Sequence, residues 1–308
     1  MTILIWITQI LLIPLVSPLF IGIIRKIKAE FQNRQGASIV QPYWDLWKLL
    51  HKDEIVTKDA SFISFYAPFI IFAVTVVVGA SIPLFASFLS NQLMSDMLVV
   101  IYTLSLATFF LALAGMDSGG GFGGFGASRE MTVAALAEAG LIFSLLTIYF
   151  VSGTSNLFAM SSGILAMQAN NYISVVLAFI GFFIILLAET GRFPFDNPAT
   201  HLELTMIHEA MILEYSGKSL ALIEWASANK FLIFASIGAN VFFPWGIAQL
   251  VTIDAILIGT LAFMAKILFL CLLVAIIESS IAKLRFFRLP NLLAISFLFS
   301  ALAIGLIH

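Results

Sequence analysis

Ile253-Asp-Ala-Ile-Leu-Ile-Gly-Thr-Leu-Ala-Phe-Met-Ala-Lys-Ile-Leu-Phe-Leu-Cys-Leu-Leu-Val-Ala-Ile-Ile277 decides the fold class. As a helix this run is about 37 Å long, whereas a bilayer core of about 30 Å needs only about 20 apolar residues. Only Asp254, at its edge, and Lys266, at its middle, belong to the ordinarily charged residue types. Comparable runs recur at about Ile3–Ile24, Phe65–Leu89, Met97–Met116, Met131–Val151, Tyr172–Glu189, Phe231–Leu250 and Leu289–Ile307. The sequence therefore predicts an all-α integral membrane protein of about eight transmembrane helices, a single domain over residues 1–308. The shorter Leu157–Met167, rich in Ser, Gly and Met, reads as an interfacial or re-entrant piece.

Composition agrees. Charged residues make up 10% of the chain and apolar ones 61%, with a mean hydropathy of +1.07. A soluble domain carries roughly 25% charged residues and could not be covered from this stock. The single cysteine, Cys271, lies inside an apolar run, so neither a disulfide framework nor a cysteine metal cluster is expected.

Where the charges fall sets the orientation. Arg25, Lys26, Lys28, Arg34, Lys48, Lys52 and Lys58 lie between runs one and two, and Arg129 between three and four. Arg192, Lys218 and Lys230 lie between five and six, and Lys283, Arg285 and Arg288 between seven and eight. The other connections carry none. By the positive-inside rule the odd connections are cytoplasmic and both termini lie outside. The first run is read as a retained span rather than a cleaved signal, because its positive charges follow it. In the first cytoplasmic connection, Pro42-Tyr-Trp-Asp-Leu-Trp-Lys-Leu-Leu-His-Lys52 predicts an amphipathic surface helix. Its Tyr43, Leu46, Trp47 and Leu50 share one face, and Pro42 suits the helix start.

Ionisable groups inside a bilayer cost roughly 2.5 kcal/mol or more each, so their presence points to function. Glu130 and Glu138 stand about 12 Å apart along the fourth helix and about 80° apart around it. Glu189 ends the fifth run, Lys266 sits mid-way through the seventh, and Glu278 closes that helix. Carboxylates stepping inward from one face, with a lone lysine at depth, suggest a proton path over buried ion pairing alone.

The connection after run five carries Asp196, Glu203, Glu209 and Glu214 with His201 and His208. A helix is expected to start near Asp196 or Asn197, place Leu202, Met206, Glu209 and Leu213 on one side, and stop at Gly217. The two histidines lack an H-E-x-x-H pattern or cysteine partners, so no metal site is assigned. Asp117-Ser-Gly-Gly-Gly-Phe-Gly-Gly-Phe-Gly-Ala-Ser-Arg-Glu130 is glycine-rich, but no strand precedes it and no Gly-Lys-Ser/Thr follows. It reads as a flexible turn below a helix start, not a phosphate cradle. No nucleophile–His–acid arrangement is visible.

Two segments carry a resemblance. Ala188-Glu-Thr-Gly-Arg-Phe-Pro-Phe-Asp196 with Leu213-Glu-Tyr-Ser-Gly217 resembles the NADH dehydrogenase subunit 1 family, the membrane heel of respiratory complex I. The intervening Asn197-Pro-Ala-Thr-His-Leu-Glu-Leu-Thr-Met-Ile-His-Glu-Ala-Met-Ile212 is similar to the group 4 hydrogenase branch, which includes formate hydrogenlyase and hydrogenase-4 membrane subunits. Gln32-Asn-Arg-Gln-Gly36, Asp45-Leu-Trp-Lys-Leu-Leu50 and Gly126-Ala-Ser-Arg-Glu130 extend the match.

The resemblance implies a role rather than a reaction, with no catalytic centre on this chain. Such a subunit anchors a peripheral redox arm and begins a route for protons or sodium toward antiporter-like membrane partners. Glu130, Glu138, Glu189, Glu203, Glu209, Glu214 and Lys266 are the expected path, and Arg192, Phe193, Phe195 and Asp196 the expected seat of the arm. The [NiFe] centre and iron–sulfur clusters are implied on partners: the soluble hydrogenase large and small subunits and an iron–sulfur subunit. The implied location is a prokaryotic cytoplasmic (inner) membrane, with the lipid bilayer and no nucleic acid as further surroundings. Two other readings stay open, a quinone-site subunit of a complex I-type oxidoreductase and a free-standing secondary transporter. The segment from Asp196 to Glu214 departs from the quinone-type pattern.

Overall fold

The computed structural model describes residues 2–55, 60–88, 94–197 and 206–307. Among them, eight helices are long and apolar enough to cross a membrane. In chain order the helices are α1 (Thr2–Phe31), α2 (Gln41–Leu50), α3 (Phe62–Ala80), α4 (Met97–Asp117) and α5 (Gly121–Ser152). They continue with α6 (Leu157–Leu165), α7 (Tyr172–Glu189), α8 (His208–Ile212), α9 (Gly217–Ile237, prolonged by a wide π-turn over Gly238–Phe242), α10 (Ile253–Ser280) and α11 (Leu289–Gly305). All but α2, α6 and α8 are the spans.

The connections sort into two faces. Residues 81–88 and 243–252 meet at one end, where the Ser87 amide donates to the Ala248 carbonyl (3.0 Å) and the Ala248 amide to that of Phe85 (2.9 Å). Asp96 pairs with Asn156 in an isolated bridge at the same end. Eight crossings bring both termini here, so we call it the terminal face. Residues 32–55, 190–197, 206–216 and 281–288 make the opposite, loop face. There the Leu284 amide donates to the Pro194 carbonyl (3.0 Å) and the Ile55 amide to Ser216 Oγ (2.9 Å). Backbone that leaves helical form near a bilayer must find such partners, because lipid offers none.

Helices approach through small residues and polar contacts rather than through apolar drive, which lipid cancels. Ser296 Oγ on α11 donates to the Gly181 carbonyl on α7 (2.7 Å). Ser17 Oγ on α1 donates to Asn229 Oδ1 on α9 (2.6 Å), and Asn229 Nδ2 to Thr75 Oγ1 on α3 (3.1 Å). Pro18 in α1 lacks the amide that would reach the Pro14 carbonyl. Trp225 Nε1 on α9 donates to that carbonyl at 2.7 Å. The α9 span is the least apolar of the eight, with a mean hydropathy of 1.4, and the most buried, at 67%. It is the central strut.

Three expectations need correction. The glycine-rich segment is no flexible turn: only 118–120 lie outside helix, and Gly121–Glu130 form the first turns of α5. Glycine is a poor helix former, but close approach selects it here. A Cβ on Gly123 would collide with the Gly115 carbonyl, and one on Gly126 would stand 2.8 Å from that of Ile207. The helix expected from Asp196 to Gly217 is, among the described residues, only His208–Ile212, and Gly217 begins α9 rather than ending a helix. Its φ of +53° and the Lys52 and Asp53 carbonyls within 3.0 Å of its virtual Cβ leave room only for glycine. The sixth span accordingly starts fourteen residues before Phe231 and takes Lys218 and Lys230 out of the connection. On α2 the buried residues are Pro42 and Leu46, whereas Trp44 and Trp47 are exposed. Tyr43 reaches the Leu15 carbonyl of α1.

Candidate functional site

Carboxylates and cations gather between the loop face and mid-depth. Glu189, at the last turn of α7, pairs with Lys230 of α9 at 2.8 Å. The same ammonium donates to Thr108 Oγ1 on α4 (3.1 Å), so one cation joins three spans. Glu130 on α5 lies within the electrostatic reach of Lys230, Glu189 and Asp196. Two turns deeper, Glu138 accepts from the Ser105 hydroxyl of α4. Among the described residues Glu138 forms no ion pair.

The loop after α7 is held from both sides. Arg192 Nη1 meets Glu278 Oε1 at 3.1 Å, and Lys28 Nζ meets Glu278 Oε2 at 3.2 Å. Each cation also covers a ring, Arg192 that of Phe231 (5.0 Å) and Lys28 that of Phe193 (4.7 Å). Lys283 meets Asp196 Oδ1 at 2.6 Å. The other oxygen of Asp196 accepts from the Ile207 and His208 amides at 3.2 and 3.1 Å. Arg192, Phe193, Phe195 and Asp196 are all buried. They support the loop from within and do not form its exposed surface. Glu278 is 6% exposed, and removing it would leave two cations facing each other at a cost of about 3–5 kcal/mol.

His208 and Glu209 open the short α8 below this loop. Burial pushes the His208 imidazole down to about 4, helped by the Lys230 field and opposed by Asp196. Burial pushes Glu209 up to about 7, reinforced by Glu224 and Asp196 and opposed by Arg25. A carboxyl so placed changes charge near neutral pH. Glu214 is exposed and lines a shallow, open depression with Glu54, Ser64, Ser118, Tyr215 and Ser216. The Tyr215 hydroxyl donates to the Ser64 carbonyl (2.9 Å), and its phenol is pushed up to about 12 by burial.

Of the residues expected from sequence, the structure brings Glu130, Glu189, Asp196 and Glu209 into one electrostatic neighbourhood. Glu138 stands apart along α5, Glu214 at the loop surface, and Lys266 elsewhere. Lys266 contacts Asn240 and the Phe243 carbonyl on the terminal side, and twelve residues of α10, about 18 Å, separate it from Glu278. Glu203 lies outside the described residues. Two members were missed. Lys230 was placed in a connection because polar residues broke the apolar run ahead of it. Glu224, hidden by the same break, faces Arg25 of α1 and Asp45 of α2. Among the described residues no group of three His, Cys, Asp or Glu is disposed to hold a metal ion.

The NADH dehydrogenase family pattern matches residues 3–308. The chain is 33% identical over 295 residues to hydrogenase-4 component C of Escherichia coli (strain K12), covering 96% of this chain and 92% of that one. It is 28% identical over 295 residues to formate hydrogenlyase subunit 4 of the same organism, covering 96% and 95%. Its fold matches a chain of the membrane-bound sulfane sulfur reductase, an archaeal respiratory membrane complex, with a TM-score of 0.81 at 20% identity over 99% of this chain and 98% of that one.

Proposed function

The chain belongs to the NADH dehydrogenase family, and from that premise we propose that it is the membrane subunit of a group 4 membrane-bound hydrogenase of the hydrogenase-4 or formate hydrogenlyase kind. The observation that carries this reading is the end-to-end likeness to hydrogenase-4 component C. The redox centres belong to its partners. One buried cysteine, Cys271 in α10, supplies no ligand set for an iron–sulfur cluster or a nickel–iron site.

On this reading the chain couples a soluble redox arm to ion movement. The loop face, rich in basic residues, is cytoplasmic and seats the arm in a prokaryotic inner membrane. Its buried frame, Arg192–Glu278–Lys28 and Asp196–Lys283, makes the loop after α7 stiff enough to pass on a displacement. Glu209 takes a proton near neutral pH at that face. Glu130, Glu189 and Asp196, with Lys230 between them, accept the shifted charge, and Glu138 with Ser105 receives it deeper in the bilayer. The surface Glu214 extends this path at its entrance. The 12 Å from Glu130 to Glu138 exceeds one proton hop, so bridging water is part of the path. Antiporter-like membrane partners would take the charge onward.

Co-purification tests the assignment. A tagged chain extracted in mild detergent should bring down hydrogenase large and small subunits and an iron–sulfur subunit. Recovery of an NADH-oxidising flavoprotein instead, or of the chain alone, would overturn it.

A further inference from the structure

The turn that joins α10 to α11 carries three basic residues, and the chain has no Asp or Glu after Glu278 to answer them. Lys283 is engaged by Asp196. Arg285 and Arg288 are exposed, and among the described residues neither meets a carboxylate. Residues 286–288 form a 3₁₀ turn, closed by the Arg288 amide donating to the Arg285 carbonyl at 2.9 Å. Residues three apart in such a turn eclipse, so the two arginines start from one side of it, about 6 Å apart along its axis. The turn is pinned through Phe286, half-buried with the Arg129 guanidinium 5.9 Å from its ring centroid. Phe287, by contrast, is 87% exposed.

Below the arginines runs a face of α11 that the rest of the bundle leaves open. Asn291, Ile295, Leu298 and Leu302 recur at three- and four-residue spacing and are all exposed. Leu293, Ser296 and Ser300, on the other side, are buried. From Asn291 to Leu302 the helix rises about 16 Å, close to one leaflet of a core about 30 Å thick. With 28% of its window buried, α11 is the least covered of the eight spans. Its start, which has no side-chain cap, adds the positive end of a helix beside the arginines.

The positive-inside bias explains why basic residues fall in this connection. It does not require two arginines on one side of a pinned turn, above an aliphatic stripe of one leaflet's depth. That combination matches an anionic phospholipid, which offers phosphate oxygens to guanidinium forks and an acyl chain to the stripe. An acidic protein segment would satisfy the arginines but leave the stripe and Phe287 unmatched.

We propose that the loop-side end of α11 binds one anionic phospholipid, whose phosphate lies between Arg285 and Arg288 and whose acyl chain follows Ile295, Leu298 and Leu302. This site stands apart from the carboxylate path and does not rest on it.

The test is photolabelling of the intact complex in phosphatidylcholine liposomes that contain a trace of phospholipid with a diazirine on its acyl chain. Phosphatidylglycerol and phosphatidylcholine probes run in parallel, and mass spectrometry maps the labelled peptides. In the native complex the phosphatidylglycerol probe should mark residues 291–302 about tenfold more strongly or better. Unlabelled phosphatidylglycerol should compete, and soluble glycerol phosphate should not. Combining Arg285→Gln with Arg288→Gln should abolish the excess, at about fivefold per arginine, with assembly unchanged. Equal marking by the two probes in the native complex would overturn the site, and that comparison needs no variant. An excess that survives in the double variant would also overturn it. Competition by glycerol phosphate would overturn it in favour of a free-phosphate site. Phe287→p-benzoylphenylalanine should crosslink to lipid, and crosslinking to a partner subunit instead would overturn it in favour of a protein contact.

Discussion

The guanidinium of Arg192 meets the carboxylate of Glu278 at 3.1 Å, although 86 positions of chain separate them. The contact joins the loop after α7 to the cytoplasmic end of α10 on the proposed topology. A single substitution at Glu278 would strand both of its cations, Arg192 and Lys28.

Glu278→Gln should therefore destabilise the subunit by about 3–5 kcal/mol, because Lys28 and Arg192 lose their shared counter-charge in a buried setting. The measurement is subunit level in membranes and thermal unfolding in detergent. An unchanged midpoint with normal yield would show that water reaches these cations freely.

Glu138→Gln should leave complex levels normal, since the described contact of Glu138 is a Ser105 hydroxyl and not a cation. Gln keeps the acceptor but cannot release a proton. Hydrogen evolution with artificial donors should persist while ion pumping in proteoliposomes falls at least tenfold. Full pumping by a normally assembled variant would exclude Glu138 as a carrier.

Glu209 provides a pH signature. Its folded value of about 7 lies above the ordinary carboxylate value of 4.5, so the group favours the folded state when protonated. Its contribution is complete below about 4.5 and is lost as pH rises through about 7. Glu209→Gln should remove that fall. His208 acts oppositely, its contribution being complete above 6.5 and lost as pH drops through about 4. The difference in unfolding midpoint between native protein and Glu209→Gln, scanned from pH 5 to 8, isolates the carboxyl. A difference that does not vary with pH would contradict this assignment.

Orientation is checked with impermeant thiol reagents in a Cys271→Ser background. A cysteine at Ser38 on the loop face should resist labelling from outside in intact cells, and one at Gln249 on the terminal face should react. The reverse pattern would invert the topology.

The count of eight spans was legible because each contains an apolar run, although the polar first half of the sixth was not. What escaped the sequence depended on contacts between distant segments. Gly121–Gly126 is helical although glycine is a poor helix former, and the Gly115 and Ile207 carbonyls that select glycine at 123 and 126 are contacts no local propensity reports. Lys230 reads as a connection residue until Glu189 of α7 and Thr108 of α4 stand beside it. Glu278 was visible as an ionisable group at a helix end, but its two cations lie 250 and 86 positions away. The Asp196 region was recognised by motif, whereas its burial under Lys283 could be seen only in three dimensions.

The polarity of α9 bears on how the protein is made. A segment carrying Glu224 and Lys230 is a poor substrate for the translocon, where a lysine at a helix centre costs about 2.5–3.5 kcal/mol. Its counter-charge, Glu189, and its hydroxyl partner, Thr108, reside on helices synthesised earlier. Insertion of α9 is thus templated by α4 and α7 already waiting in the bilayer. The order of synthesis along the messenger is part of what makes this chain foldable.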